Sequence, residues 1–154
     1  MTFHLAQVNI GRVRGPMDSE IMHGFASRLA EINALADNAP GFVWRLQTDD
    51  GDATSIHVYD DDMLLINMSV WENIEALFAY TYRSDHVQLL RGRADWFERL
   101  ESHHMTMWWI PAGHIPTPLE AKARLEHLDA HGPTPHAFTF KHRFAAEAAA
   151  SGAD

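Results

Sequence analysis

Hydrophobic and polar positions change period several times along the chain. From Phe3 to Arg12 they alternate, with Ala6, Val8 and Ile10 on one face and Leu5, Gln7 and Asn9 on the other. This is the period of a strand buried unequally on its two sides. GPMDSE breaks the alternation, Asp18 stands as an N-cap with Glu20 in the first turn, and Ile21, Phe25, Leu29, Ile32 and Ala36 then recur at helical spacing. The pattern predicts an amphipathic helix over 18–37, ended by Asn38 in a left-handed cap and by the Pro40-Gly41 turn. Alternation returns over Phe42 to Thr48, with Phe42, Trp44 and Leu46 on one face, and a hairpin turn is expected at Asp50-Gly51.

A further strand is predicted from Met63 to Trp71. Leu64, Ile66, Met68 and Val70 share one side, and Leu65, Asn67, Ser69 and Trp71 the other. Ile74, Leu77, Phe78 and Tyr82 predict a helix that breaks at Ser84-Asp85 and resumes through Val87, Leu90, Ala94, Phe97 and Leu100. In HHMTMWWIPAGH, His103, Met105, Met107 and Trp109 fall on one strand face, and His104, Thr106, Trp108 and Ile110 on the other. Thr117-Pro118-Leu119-Glu120 reads as a capping box with proline at the first helical position, and a helix follows to about Ala130, burying Leu119, Ala123, Leu125 and Leu128 in some combination. HAFTFKHRF supplies a short edge strand.

The order is β-α-β-β-α-β, an α+β, ferredoxin-like arrangement with an antiparallel sheet and a C-terminal helical extension. It predicts one domain over residues 1–141, the extension running from about 112 to 141, and a disordered tail over 142–154. Helices are expected on one sheet face only. The other face includes tryptophan whichever way the sheet is turned, and a homodimer closing two sheets into a barrel would cover it.

Composition narrows the partners. A formal net charge of −9 opposes the basic face that nucleic acid requires, and the one basic cluster, Arg91 to Arg93, is simply an exposed helix face. No apolar run reaches the length of a membrane span, and MTFHLAQVNI lacks the pattern of a signal peptide. There is no cysteine, in keeping with the cytoplasm. The 11 histidines raise the question of metal. His103 and His104 point to opposite faces, His127 and His131 have the i, i+4 spacing of two ligands but lie at a helix end that histidine also suits, and HExxH is absent. No native metal is expected.

The stretch VWENIEALFAYTYRSDHVQLL, Val70 to Leu90, resembles the dimeric α+β barrel superfamily of antibiotic-biosynthesis monooxygenases. Members show a strand ending in tryptophan, then a helix, then a Ser-x-His segment, and Trp71 and Ser84-Asp85-His86 match that layout. AQVNIGR, PGFVWRL, SVW, WWIPAGHIPT and GPTPHAFTFK together resemble an uncharacterised bacterial branch with a ferredoxin-like fold. That likeness covers nearly the whole chain and carries no assigned reaction. The superfamily resemblance implies a homodimer and a small-molecule cavity between sheet and helices. It also implies, for some members, oxygenation without metal or flavin: a base removes a proton and the electron-rich anion reduces dioxygen directly. Haem-degrading relatives carry a tryptophan and a histidine ten residues apart on the second helix. Tyr80 and Leu90 stand there in this chain, which disfavours haem. Tyr80 also replaces a histidine found in several cofactor-free relatives.

His86 is the candidate acid/base, because imidazole titrates near the working pH; its plain structural reading is a helix cap at Ser84-Asp85. Asn67 and Asn9 are candidate hydrogen-bond donors, with Ser69 beside them, and the alternative is that they face solvent or an interface. Trp71, Trp108, Tyr80 and His104 are candidate binding residues, although tryptophan more often belongs to core or interface. The expected function is a cofactor-independent, monooxygenase-like enzyme acting by proton abstraction from an electron-rich aromatic or similar substrate, followed by oxygenation or isomerisation. The competing readings are a non-catalytic ligand-binding or sensing protein and a haem- or metal-binding protein.

Overall fold

A computed structural model describes residues 2–47, 59, 61, 63–89, 91–100 and 103–147. The Asp50-Gly51 hairpin, Leu90 and the end of the tail lie outside them. In chain order the elements are β1 (Phe3–Val13), α1 (His23–Ala26), α2 (Leu29–Asp37), β2 (Phe42–Arg45), β3 (Leu64–Trp71), α3 (Ile74–Arg83), α4 (His86–Leu89), α5 (Arg93–Trp96), β4 (Phe97–Glu98), β5 (Met105–Pro111) and α6 (Pro118–His131).

β1 is the central strand. It pairs antiparallel with β3 along one edge, and along the other with β5 over Phe3–Asn9 and with β4 at Arg12–Val13. β2 pairs with the far edge of β3. The order β2-β3-β1-β5 is that of a ferredoxin-like sheet. Register then sorts every side chain, because directly opposed residues share a face. Leu5↔Trp71, Gln7↔Ser69 and Asn9↔Asn67 lie on one side, with Met105, Met107 and Trp109 of β5. Ala6↔Val70, Val8↔Met68 and Ile10↔Ile66 lie on the other, with Thr106, Trp108 and Ile110. These are the Gln7 face and the Val8 face.

Three apolar clusters hold the layers together. On the Gln7 face, Ile74 and Leu77 of α3 pack with Leu5, Trp71 and Met107, while Phe25 and Ile32 of α1 and α2 pack with Val13 and Trp96. On the Val8 face, Ala121 and Leu125 of α6 close over Ala6, Val8, Ile10, Met68, Val70 and Trp108. Val8 and Trp108 have no exposed surface in the single chain. The sheet is therefore covered by helices on both sides. The open tryptophan-bearing face that called for a second copy is filled by the chain's own C-terminal helix.

Several local expectations are corrected. The helix predicted over 18–37 is a 3-10 turn (Glu20–Met22) and two helices separated at Ser27-Arg28, and neither Asp18 nor Ser19 caps it with a side-chain bond. Asn38 has φ −102°, and Gly41 takes the positive φ of 83° instead, where a side chain would also meet Ala76 Cβ. An irregularity between Phe42 and Trp44 sends them to opposite faces, Phe42 against Trp71 and Trp44 into the Val8-face cluster. The second helical run ends at Trp96, and Phe97 enters a strand. On α6, Leu119 is 70% exposed and Ala123 is exposed, so Ala121, Leu125 and Leu128 supply the buried stripe. Thr117 Oγ1 accepts from Glu120 N at 3.1 Å, and Pro118 opens the helix as expected. The Glu120 carboxylate turns away to Trp108 Nε1 and His114 Nε2. No helix among the described residues is long and apolar enough to cross a membrane.

Leu125→Ala, which leaves a hole beneath α6, should lower the unfolding free energy in urea by about 2–5 kcal/mol. Leu119→Ala should change it by less than about 0.5 kcal/mol. Equal effects would mean that α6 does not pack on the Val8 face.

Candidate functional site

Between the two apolar clusters of the Gln7 face lies a run of polar side chains, built by the cross-strand register of β1 and β3. Gln7 is 3% exposed and Ser69 7%. Groups buried that deeply must be hydrogen-bonded. Gln7 Nε2 donates to Asn67 Oδ1 at 3.0 Å and to Ser69 Oγ at 2.8 Å, using both of its hydrogens. Gln7 Oε1 accepts from Asn9 Nδ2 at 3.2 Å, and Asn9 Nδ2 also donates to Asn67 Oδ1 at 3.1 Å. Trp71 Nε1 donates to Ser69 Oγ at 2.8 Å.

The ladder is polarised. The Asn67 oxygen is held inward by two amide donors, and Asn67 is exposed. Its own amide NH₂ makes no hydrogen bond among the described residues. A donor pair with no partner among the described residues therefore stands at the solvent end of a network whose buried members, Gln7 and Ser69, are hydrogen-bonded.

An aromatic column rises from the other end. Tyr80 stacks on Trp71 with centroids 5.0 Å apart and planes at 29°, and the His86 ring meets Tyr80 at 4.8 Å. Phe42 closes the far side of Trp71 edge-on at 5.5 Å. His86 is placed by the end of α3. Ser84 takes an extended backbone, its hydroxyl donates to the Tyr80 carbonyl and accepts from His86 N at 3.1 Å, and the chain turns back into α4. His86 Nδ1 lies 3.2 Å from the Thr81 carbonyl oxygen. A carbonyl only accepts, so Nδ1 carries the proton and Nε2 keeps its lone pair.

Burial lowers the His86 pKa, the Thr81 carbonyl opposes that shift, and the charge of Arg93 adds to it. The ring is the neutral form that a base requires. Burial pushes the Tyr80 phenol up to about 12, helped by Asp37 and countered by Arg45, so it stays protonated. Its hydroxyl contacts the Ile32 carbonyl at 3.4 Å. Arg45 in turn is clamped on Asp37, with Nε to Oδ1 at 2.7 Å.

The structure thus joins Asn9, Asn67, Ser69 and Trp71 by hydrogen bonds through Gln7, stacks Tyr80 on Trp71 and sets His86 against Tyr80. No hydrogen bond links His86 to the ladder among the described residues. Trp108 and His104 do not belong to this group, because they have the opposite parity in β5. Trp108 is fully buried on the Val8 face, where its Nε1 donates to Glu120 at 3.0 Å and Arg124 lies over its ring. His104 is exposed at the start of β5, and its backbone carbonyl accepts from Ile10 N.

Gln7, the centre of the ladder, was absent from the candidates. Its signal is an amide between Ala6 and Val8, in alternation with Leu5 and Asn9 on the same strand face. A separate groove of about 610 Å³ lies between α2 and α4, lined by Glu31, Leu35, Asn38, Asp85 and Gln88, next to His86 in sequence. Among the described residues no three histidines or carboxylates converge to hold a metal ion. His127 and His131 instead meet as tilted rings with centroids 4.5 Å apart.

A ferredoxin-like α+β protein with a helix on each face of its sheet, and a polar ladder under one of them, is the class defined here. The chain belongs to the family described as a domain of unknown function (DUF3291), which matches residues 4–153. No curated protein matches it. Among solved structures it is similar to a mutant of SnoaB, a cofactor-independent oxygenase from Streptomyces nogalater, at 16% identity over 73% of this chain and 95% of that one, with a TM-score of 0.48. It is similar to a dabb family protein with a ferredoxin-like fold from Mesorhizobium loti at 15% identity, over 73% and 100% of the chains, with a TM-score of 0.46. NE2512 from Nitrosomonas europaea, a protein of unknown function, shares 11% identity over 76% and 96%, with a TM-score of 0.45. At such identities and scores the likeness says nothing of activity.

His86 should titrate below the ordinary imidazole value of about 6.5, with Nδ1 protonated in its neutral form, as read by nitrogen-15 NMR. The sign for stability follows from linkage. A lowered folded pKa means that the unfolded state takes the proton first, so the contribution of His86 is whole above about 6.5 and is lost as pH falls through its folded value. Titration at or above 6.5 would contradict the buried neutral ring.

Proposed function

We propose that the Gln7 face is a small-molecule site, and that its chemistry is proton abstraction from an electron-rich aromatic or similar substrate, followed by oxygenation or isomerisation. The observation that carries this reading is the Asn67 NH₂, which makes no hydrogen bond among the described residues and is turned outward because two amides fix its oxygen inward. A preorganised donor of this kind suits an oxygen that gains negative charge as a neighbouring proton leaves. Tyr80 supplies the aromatic wall, backed by Trp71, which has no exposed surface, and Asn9 and Ser69 complete the polar edge. The neutral His86 ring, with Nε2 unprotonated, supplies the base. In the oxygenase form of the reaction the anion passes its electrons to dioxygen, and no metal or flavin is required.

A second reading, a binding or sensing protein without turnover, is favoured by one specific feature: His86 contacts Tyr80, and no hydrogen bond joins it to the ladder. The residues of the proposed site all come from one chain, and the homodimer implied by the superfamily resemblance would use a surface other than the packed Val8 face. Light scattering at micromolar concentration decides that point: a two-chain mass supports the homodimer, and a one-chain mass removes it.

The functional test is dioxygen uptake with a panel of phenols and anthrones. Asn67→Ala and Asn67→Asp, both of which remove the donor, should reduce turnover about 10²–10³-fold. His86→Ala should reduce it about 10²–10⁴-fold. Saturable binding that Asn67→Asp weakens, with no dioxygen consumed by wild type and no response to His86→Ala, would establish the non-catalytic reading instead.

A further inference from the structure

The chain beyond α6 crosses from one sheet face to the other. Gly132 ends the helix at φ 74°, and Phe138 then pairs with the outer edge of β5, exchanging both backbone bonds with Met107 at 3.0 Å. Past this edge, Phe140 and Phe144 join the cluster of Leu5, Trp71, Met107 and Trp109 on the Gln7 face. Trp109 Nε1 donates to the Phe144 carbonyl at 2.8 Å. Residues 134–144 therefore form a strap over the end of the proposed site that holds Trp71.

One end of the strap is tied to α6 by imidazoles. Arg124 Nη1 lies 2.9 Å from His136 Nδ1 and donates to the His136 carbonyl at 2.9 Å. A guanidinium has no acceptor, so His136 Nδ1 must present a lone pair, and His136 must be neutral for this contact to exist. His127 stands between His131 and His136 with ring centroids 4.5 Å from each, and its Nε2 is 3.1 Å from Thr134 Oγ1. The charged and titratable groups facing His136 among the described residues are thus Arg124 and His127, with His131 behind His127 and Glu120 acting on Arg124.

We propose that Arg124, His127, His131 and His136 form a pH-sensitive latch that holds the C-terminal strap closed over the Trp71 end of the Gln7 face and loosens it on acidification. Protonating His136 turns the donor–acceptor contact with Arg124 into two cations in contact, and protonating His127 adds a third next to both. Desolvation, Arg124 and the neighbouring imidazole all lower the His136 pKa, and the same kinds of cause lower that of His127. The closed strap is therefore favoured above the ordinary value of about 6.5 and loses stability as pH falls through the lowered values. Loosening bares Met107 and Trp109 beside Trp71, so the latch governs access to that end of the proposed site. The latch itself is independent of what the site binds.

Hydrogen exchange of the full chain tests the latch without any ligand. Protection factors of the Phe138 and Met107 amides should fall about tenfold between about pH 7.5 and pH 5.5, the equivalent of one lost charge-assisted bond, while amides of the β1–β3 ladder hold. His136→Gln, whose amide oxygen accepts from Arg124 without titrating, should flatten that fall. His127→Gln should halve it on a logarithmic scale, and serves if the first variant does not fold. Nitrogen-15 NMR at neutral pH should show His136 Nδ1 unprotonated. A flat wild-type profile, a fall equal in wild type and both variants, or a protonated Nδ1 would overturn the proposal.

Discussion

Burying a carboxamide in the central strand is the constraint around which this molecule is arranged. β1 carries bonds along both edges, and its alternation cannot be shifted without turning every side chain to the wrong side. With Ala6, Val8 and Ile10 committed to one apolar cluster, Gln7 is forced inward on the other face. Its amide makes three hydrogen bonds there, to Ser69, Asn67 and Asn9. Each partner is itself oriented by the bond it makes. The outward NH₂ of Asn67 and the seating of the Trp71 indole on Ser69 both follow, and Tyr80 stacks on Trp71 with His86 against it.

The C-terminal extension changes the meaning of the other face. A ferredoxin-like sheet with helices on one side leaves an apolar surface to be covered, and α6 covers it with Ala121 and Leu125. The same helix presents Glu120 to the Trp108 indole and Arg124 to its ring and to His136. Trp108 is thereby a structural anchor between sheet and helix, and the strap that leaves α6 returns to the Gln7 face. Both faces are tied together through the edge of β5.

Much of the candidate site was legible because it obeys a period of two. Asn9, Asn67, Ser69 and Trp71 stand at alternate positions of their strands, and the break at Ser84-Asp85 marked the turn that sets His86 against Tyr80. Gln7 escaped because an amide between apolar neighbours looks like solvent exposure until the opposite strand is known. Trp108 and His104 were grouped with Trp71 although their own strand places them with Thr106; whether that parity meets Trp71 depends on how β5 pairs with β1. The tight imidazole contacts of His127 likewise needed His136, which lies nine residues further on and across a turn.

By itself, the sequence determined the local periods: which residues form β1, β3, β5, α3 and α6, where Thr117-Pro118 starts a helix, and which side chains share a strand face. Those follow from backbone geometry repeated over a few residues. Only the tertiary structure decided which face each helix covers, that Phe42 and Trp44 part at an irregularity, that the helix predicted over 18–37 breaks at Ser27-Arg28, and that Gln7 is the hub of a ladder. These outcomes depend on contacts between residues far apart in the chain. There, burial of apolar area and the pairing of buried polar groups outweigh local preference.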